Sequence, residues 1–128
     1  MKILPIYAAL LAVLFAYLSV RTISARRRLG IGLGHAENPV MLRAMRVHAN
    51  FAEYVPFALL LIFLVESSGA NPLVVHALGV ALLVARLSHA YGVSQQKESF
   101  RFRVFGMATT LTVLLLSAIY LLIVAATR

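Results

Sequence analysis

The chain has 128 residues, of which 62% are hydrophobic and 12% charged, and this balance excludes an ordinary soluble domain and predicts an integral membrane protein. The net charge of +8 does not indicate a nucleic-acid partner, because the basic residues lie in short segments beside apolar runs, where they set topology and contact anionic headgroups of membrane lipid. The chain has no cysteine, which excludes disulfides, thiolate metal sites and a protein thiol nucleophile. Any thiol chemistry would therefore use a substrate's sulfur, and no metal site is predicted.

Four apolar stretches are each close to the roughly 20 residues that cross about 30 Å of hydrocarbon. We therefore predict an all-α fold, a bundle of four transmembrane helices that forms a single domain over residues 1–128. The predicted spans are residues 3–20, 39–66, 72–92 and 104–126.

The first span is longer than the apolar core of a signal peptide and has no convincing cleavage site after it, so we predict a retained helix. From Arg21 to His35 the composition changes to four arginines followed by three glycines, which predicts the first loop. Its G-x-G-x-G spacing lacks the preceding strand and the following Lys-Ser/Thr of a phosphate-binding loop. We interpret this segment as a flexible connector beside the headgroups.

The second helix carries the main candidate site. Asn38 and Pro39 predict its start, since asparagine caps free amides and proline fits the first turn. At about 100° per residue, the polar residues that follow fall within roughly 80° of one another. A charged side chain inside a membrane costs roughly 2.5–3.5 kcal/mol, so such groups usually face protein or water. The polar residues of this face are Arg43, Arg46, Asn50 and Glu53.

Two interpretations of this polar face stay open. It could be a structural ion pair, with Arg46 and Glu53 two turns apart, that only offsets the cost of burial. Two arginines, an amide and a carboxylate on one face favour instead a binding site for a small ligand that carries carboxylates and an amine.

The third helix is predicted to start at Pro72, and its end contains Arg86, His89 and Tyr91. Arg86 and His89 are three residues apart and share a face, while Tyr91 points elsewhere. A snorkelling arginine with interfacial aromatic residues is the alternative explanation. The third loop, predicted over residues 93–103, leads into the fourth helix, where Gly106 permits close approach of another backbone.

Among the three loops, loops one and three contain basic residues and loop two contains none. The positive-inside rule therefore predicts that loops one and three are cytoplasmic and that both termini lie outside. Several arginines then collect at one end of the bundle, and arginine is suited to binding carboxylates with two hydrogen bonds. These residues are Arg43, Arg46, Arg86, Arg101 and Arg103.

Three segments together resemble a known family. NPVMLRAMRVHANFAEYVPF (residues 38–57), RLSHAY (residues 86–91) and RFRVFG (residues 101–106) are similar to the membrane-associated proteins in eicosanoid and glutathione metabolism, the MAPEG family, and above all to its bacterial inner-membrane branch. The resemblance covers nearly the whole chain. It implies a homotrimer in the bacterial inner membrane, with glutathione held between neighbouring subunits near the cytoplasmic side.

The resemblance also implies roles for single residues. Arg103 is implied to lie near the thiol of glutathione as the catalytic residue, where a cation lowers the thiol pKa from its usual value of about 8.5. The thiolate would attack a lipophilic electrophile from the bilayer, which is the chemistry of a glutathione transferase or peroxidase with glutathione as cosubstrate. We predict that the residues binding glutathione are Arg43, Arg46, Asn50, Glu53, Arg86, His89, Tyr91 and Arg101.

Two other functions fit the same residues. In a non-catalytic membrane binder or scaffold, the polar face of the second helix would only hold the oligomer together through ion pairs between subunits. A small proton-coupled drug exporter would use the one carboxylate of that face, but the arginines beside Glu53 should keep it ionised and unsuited to proton exchange.

Overall fold

The computed structural model describes residues 2–127, and over that range it contains α-helices and no strand. All the helices are long and apolar enough to cross a membrane, which confirms the predicted all-α bundle with four transmembrane segments. Met1 and Arg128, the ends of the predicted domain, lie outside the described residues. The helices are α1 (Leu4–Leu29), α2 (Pro39–Ser67), α3 (Pro72–Ser94) and α4 (Phe100–Thr127).

The end of α1 differs from the prediction. The predicted start of the first loop at Arg21 is wrong, because the helix continues through the arginine run to Leu29. No glycine or proline lies between Arg21 and Gly30, and Gly30 ends the helix in the left-handed conformation at φ 66°. The first loop therefore comprises only residues 30–38, and the arginines 26–28 form the last turn of α1.

The third loop is also shorter than predicted, since residues 95–99 alone separate α3 from α4. Arg101 and Arg103 accordingly lie in the first turn of α4. Gly92 allows the two helix ends to approach closely, because a Cβ atom there would lie 2.9 Å from the backbone nitrogen of Arg103.

The helices α2 and α3 occupy the centre of the bundle. Each of them packs against all the other helices, whereas α1 and α4 share no contact within residues 2–127.

The short connections make consecutive helices antiparallel, so each end of the bundle contains the starts of two helices and the ends of the other two. At one end the Glu66 carboxylate accepts hydrogen bonds from the backbone N–H groups of Ile3 and Leu4. At the other end, Arg21 donates to Ser94.

We call this second end the basic end, defined by residues 21–43 and 94–103. It contains the end of α1, the first loop, the start of α2, the third loop and the start of α4. Asn38 caps α2 there as predicted, since its Oδ1 accepts hydrogen bonds from the N–H groups of Val40 and Met41.

Close contact between α3 and α4 depends on Gly106. A Cβ atom at this position would lie 2.6 Å from the carbonyl oxygen of Ala85 and 2.7 Å from Cβ of His89. The helix backbones therefore touch at this level, as predicted. This contact fixes the last three turns of α3, which contain Arg86 and His89.

Candidate functional site

The centre of the candidate site is a buried arginine. Arg86 is 1% exposed, and its Nη2 donates to Asn50 Oδ1 over 2.7 Å. Its Nη1 lies 3.5 Å from Oγ1 of Thr110, and its guanidinium carbon lies 5.7 Å from the ring centroid of Phe51. None of the ion pairs in the described part of the chain includes Arg86. One guanidinium group thus joins α2, α3 and α4 through neutral partners.

His89 lies one turn after Arg86 and is 3% exposed. Its Nδ1 lies 3.3 Å from Nη2 of Arg86, which confirms that the two side chains share a face of α3. A guanidinium group can only donate, so this contact assigns Nδ1 as the acceptor of a neutral imidazole whose proton is on Nε2. The cluster therefore contains one fixed positive charge and no negative charge.

Arg46 and Glu53 lie on the outer face of α2. Their nearest atoms, Nη1 and Oε1, are 4.0 Å apart, and the side chains are 58% and 52% exposed. The 29-residue helix is about 43 Å long, and Glu53 lies about 21 Å from its start, near the middle of the span. An ionised carboxylate at that depth is costly against hydrocarbon. This face of α2 must therefore be covered by protein, ligand or water.

Asn50 lies between the buried and the exposed parts of α2. On a helical wheel it falls roughly 105° from the centre of the buried face, whereas Arg46 and Glu53 fall roughly 150° and 165° from it. The predicted polar face is therefore divided. Its inner edge contacts Arg86, and its outer edge is on the surface of the chain.

A carboxylate that the sequence prediction did not select, Glu98, organises the basic end. Arg43 Nη1 donates to Glu98 Oε2 over 3.0 Å and to the carbonyl oxygen of Val93 over 3.1 Å. Arg103 Nη1 lies 3.5 Å from the other carboxylate oxygen, an ion-pair distance without hydrogen-bond geometry. The Glu98 side chain is 9% exposed, so this acid joins the starts of α2 and α4. The sequence indicates this role of Glu98 only through its being the one acid in a loop with basic residues.

Tyr91 and Arg101 are exposed at a different place. The Tyr91 ring is 55% exposed and meets the Phe102 ring edge-on, with centroids 5.1 Å apart. Both Tyr91 and Arg101 line an apolar groove between α3 and α4 that includes Phe105. In a single chain they are therefore separate from the Arg86 cluster.

The structure thus divides the predicted site residues into four groups. The groups are Asn50, Arg86 and His89 in the core, Arg46 and Glu53 on the outer face of α2, Arg43 and Arg103 on Glu98, and Tyr91 and Arg101 in the α3–α4 groove.

The prediction from the sequence did not include Glu98, nor Thr110 as a neighbour of the buried guanidinium. Within residues 2–127 no three His, Asp or Glu side chains form a group that could hold a metal.

Comparison with known proteins identifies the same family that the three sequence segments resemble. The sequence model of the MAPEG family matches residues 4–123. Two relatives, each named inner membrane protein YecN, come from Escherichia coli K12 and from Escherichia coli O6:H1 (strain CFT073). Each is 35% identical over 111 residues, a match that covers 87% of this chain and 83% of the relative.

Proposed function

The chain belongs to the MAPEG family, and on this premise we propose that it binds glutathione within the membrane and uses it as cosubstrate, as a glutathione transferase or peroxidase for lipophilic electrophiles. The observation that carries the proposal is the position of Arg46 and Glu53, which are more than half exposed on a membrane-spanning helix. They lie beside Asn50, whose carbonyl oxygen is bonded to the buried Arg86. A polar ligand and a neighbouring subunit would together cover this face.

The outer face of α2 also supports self-association. Ionised side chains at mid-span are stable only where protein or water replaces lipid, and a second copy of the chain supplies both a surface and a cleft. The family resemblance implies three copies, so we propose a homotrimer with the ligand between subunits. The YecN relatives are inner membrane proteins, and we propose the same membrane for this chain, with the basic end in the cytoplasm.

The chemistry of the outer face of α2 is complementary to glutathione, which carries two carboxylates and an amine. Arg46 can bind a carboxylate with two parallel hydrogen bonds, and Glu53 can accept from the amine. The 4.0 Å between them exceeds hydrogen-bond length, so both keep their donors and acceptors available. The amide of Asn50, already oriented by Arg86, offers its NH2 group to the ligand.

Arg103 is the residue that we propose for activation of the sulfur. Its side chain is 49% exposed at the start of α4, and a guanidinium group near the glutathione thiol would favour the thiolate. The thiol proton passes to water. The sulfur then forms a bond to the electrophilic carbon, and the leaving group departs with the electrons of the bond that breaks.

A ligand-induced stability shift tests this proposal. Purified protein in detergent should melt at a higher temperature with reduced glutathione, because a ligand that binds only the folded state stabilises it. The shift should disappear in Arg46→Ala and remain in Lys97→Ala, which removes an exposed charge from the third loop. The same protein should raise the ultraviolet absorbance of the glutathione thiolate and conjugate an aryl halide. Failure of both assays with correctly assembled protein would exclude the transferase.

A non-catalytic membrane scaffold is the second candidate, and one observation favours it. Glu98 already pairs with Arg43 and Arg103 inside one chain, which reduces the positive charge available to a thiolate. In that case Glu53→Gln or Arg46→Met would disrupt assembly, while the melting temperature would not respond to glutathione. A glutathione-induced rise in melting temperature would count against the scaffold.

A further inference from the structure

A cavity lined by both polar and apolar side chains lies at the basic end, apart from the Arg86 cluster. Its volume is about 500 Å³, and α1, the start of α2 and the end of α3 form its walls. Its polar lining consists of Arg21, Ser24, Arg28, Arg43, Ser94 and Gln96.

The cavity has an excess of positive charge. Three arginines line it and no acid does. Arg43 is neutralised by Glu98 at 3.0 Å, but neither Arg21 nor Arg28 is in an ion pair with an acid of the described chain. Two guanidinium charges therefore remain for an anion.

Arg21 has an unused donor at this place. Its Nη1 donates to Ser94 Oγ over 2.6 Å, which holds the side chain across the gap between α1 and α3. Its Nε is buried and has no hydrogen-bond acceptor in the described structure. An atom this buried does not face the cavity, but Nη2 makes no hydrogen bond in the described structure and is not among the buried atoms, so its N–H groups can donate to a bound anion.

The hydrogen-bond donors that line the cavity, and the absence of an acid from its lining, indicate the chemistry of the ligand. The arginines, the hydroxyl group of Ser24 and the amide of Gln96 in the third loop are donors that suit the oxygens of a phosphate group. A zwitterion such as glutathione fits poorly, because its ammonium group would meet guanidinium groups and no carboxylate. The volume is in the range of small-molecule sites and exceeds that of a phosphate ion, so there is room for an attached alcohol.

We propose that this cavity binds the phosphate group of an anion that has no positive charge of its own. Two sources fit that chemistry, an anionic phospholipid headgroup or a soluble phosphate. The site lies at the end of four membrane-spanning helices, where basic side chains meet the headgroup layer. Of the residues predicted to bind glutathione, Arg43 is the one that also lines this cavity, and the phosphate proposal does not depend on glutathione binding.

Two adjacent arginines of α1 provide a matched test. Arg27 and Arg28 are both exposed, and only Arg28 lines the cavity. Delipidated full-length protein in a non-ionic detergent would be melted at constant ionic strength with inorganic phosphate, with phosphatidylglycerol micelles, or with phosphatidylcholine micelles as the neutral control. We expect phosphate or phosphatidylglycerol to raise the melting temperature, and phosphatidylcholine to have no effect.

The variants should distinguish specific binding in the cavity from general electrostatic attraction by the positive charge of the basic end. The apparent affinity should fall about threefold in Arg28→Gln, as for an exposed ion pair, and about tenfold in Arg21→Gln, as for a charged hydrogen bond, but should not change in Arg27→Gln. The side chain of Arg28 makes no hydrogen bond in the described structure, so its variant remains informative if Arg21→Gln fails to fold.

Each outcome of this experiment has a defined meaning. Stabilisation by phosphatidylglycerol alone identifies a headgroup site, and stabilisation by inorganic phosphate identifies a site for a soluble phosphate. Equal effects of Arg27→Gln and Arg28→Gln, or no stabilisation by either probe, would overturn the proposal. So would loss of glutathione-induced stabilisation in Arg28→Gln, because the cavity would then belong to the glutathione site.

Discussion

Arg86 and Asn50 connect α3 to α2 through a hydrogen bond of 2.7 Å from Nη2 to Oδ1. The buried guanidinium is surrounded by an amide oxygen, a hydroxyl group and the face of the Phe51 ring, and no carboxylate among residues 2–127 pairs with it. Removing one partner of such a pair leaves the other buried and unsatisfied, whereas removing both leaves apolar surface.

A double-mutant cycle on this pair should therefore be non-additive. We expect Asn50→Leu to lower the free energy of unfolding by about 2–3 kcal/mol, because it removes a hydrogen bond to a buried charge. In the background of Arg86→Met, the same change should cost roughly 1–2 kcal/mol less. Chemical denaturation in detergent micelles measures the four free energies of unfolding. Additive values would show that the two side chains are not energetically coupled.

The fold and the starts of α2 and α3 could be predicted from the sequence, whereas the end of α1 and the start of α4 could not. Apolar runs of span length determine the number of membrane helices, because the hydrocarbon thickness admits few alternatives. The change of composition at Arg21 indicated a loop, but arginine favours helix and only Gly30 stops it. Polarity therefore marks where α1 leaves the hydrocarbon, which is a different place from where its helix ends.

The candidate site shows a similar limit. Helical periodicity correctly placed Asn50 and Arg46 on the same side of α2, since the angle between them depends only on spacing. It could not show that Asn50 reaches Arg86 while Arg46 stays at the surface, because that depends on where α3 packs. Glu98 was missed because a loop acid acquires its role only when two helix ends meet around it.

Gly106→Ala should weaken the contact between α3 and α4. The added Cβ would lie 2.6 Å from the backbone oxygen of Ala85, so a backbone must move, and we expect a loss of about 1–3 kcal/mol in unfolding free energy. Gly32→Ala is the control, since a Cβ there meets nothing within 4 Å. The Gly106 contact would be less tight than described if both variants melted at the same temperature.

Glu66→Gln should loosen the start of α1. The Glu66 carboxylate accepts from the backbone N–H groups of Ile3 and Leu4, where the helix dipole also favours a negative charge. We expect a loss of about 1 kcal/mol and faster amide hydrogen exchange at Leu4. Glu37→Gln, an exposed change in the first loop, serves as the control. Unchanged exchange at Leu4 would show that the charge of Glu66 is not needed there.

Glu98→Gln distinguishes a catalyst from a scaffold, because the two functions predict different combinations of effects. Glu98 lies between Arg43 and Arg103, so neutralising it should cost roughly 1 kcal/mol of unfolding free energy in either case. If Arg103 faces the glutathione thiol, losing the acid also strengthens the positive potential at the sulfur. The thiol pKa of bound glutathione should then fall by about half a unit, which gives roughly threefold more thiolate below that pKa.

A titration of thiolate absorbance against pH, with saturating glutathione, measures this shift directly. Glu37→Gln removes the same charge from the exposed first loop and should leave both the thiolate fraction and the unfolding free energy unchanged. A less stable Glu98→Gln protein with more thiolate would place the two arginines paired with Glu98, Arg43 and Arg103, near the sulfur, since a purely structural ion pair has no reason to affect the ligand. A less stable protein with the same thiolate fraction would instead separate Arg103 from the sulfur and leave Glu98 as a structural link between α2 and α4.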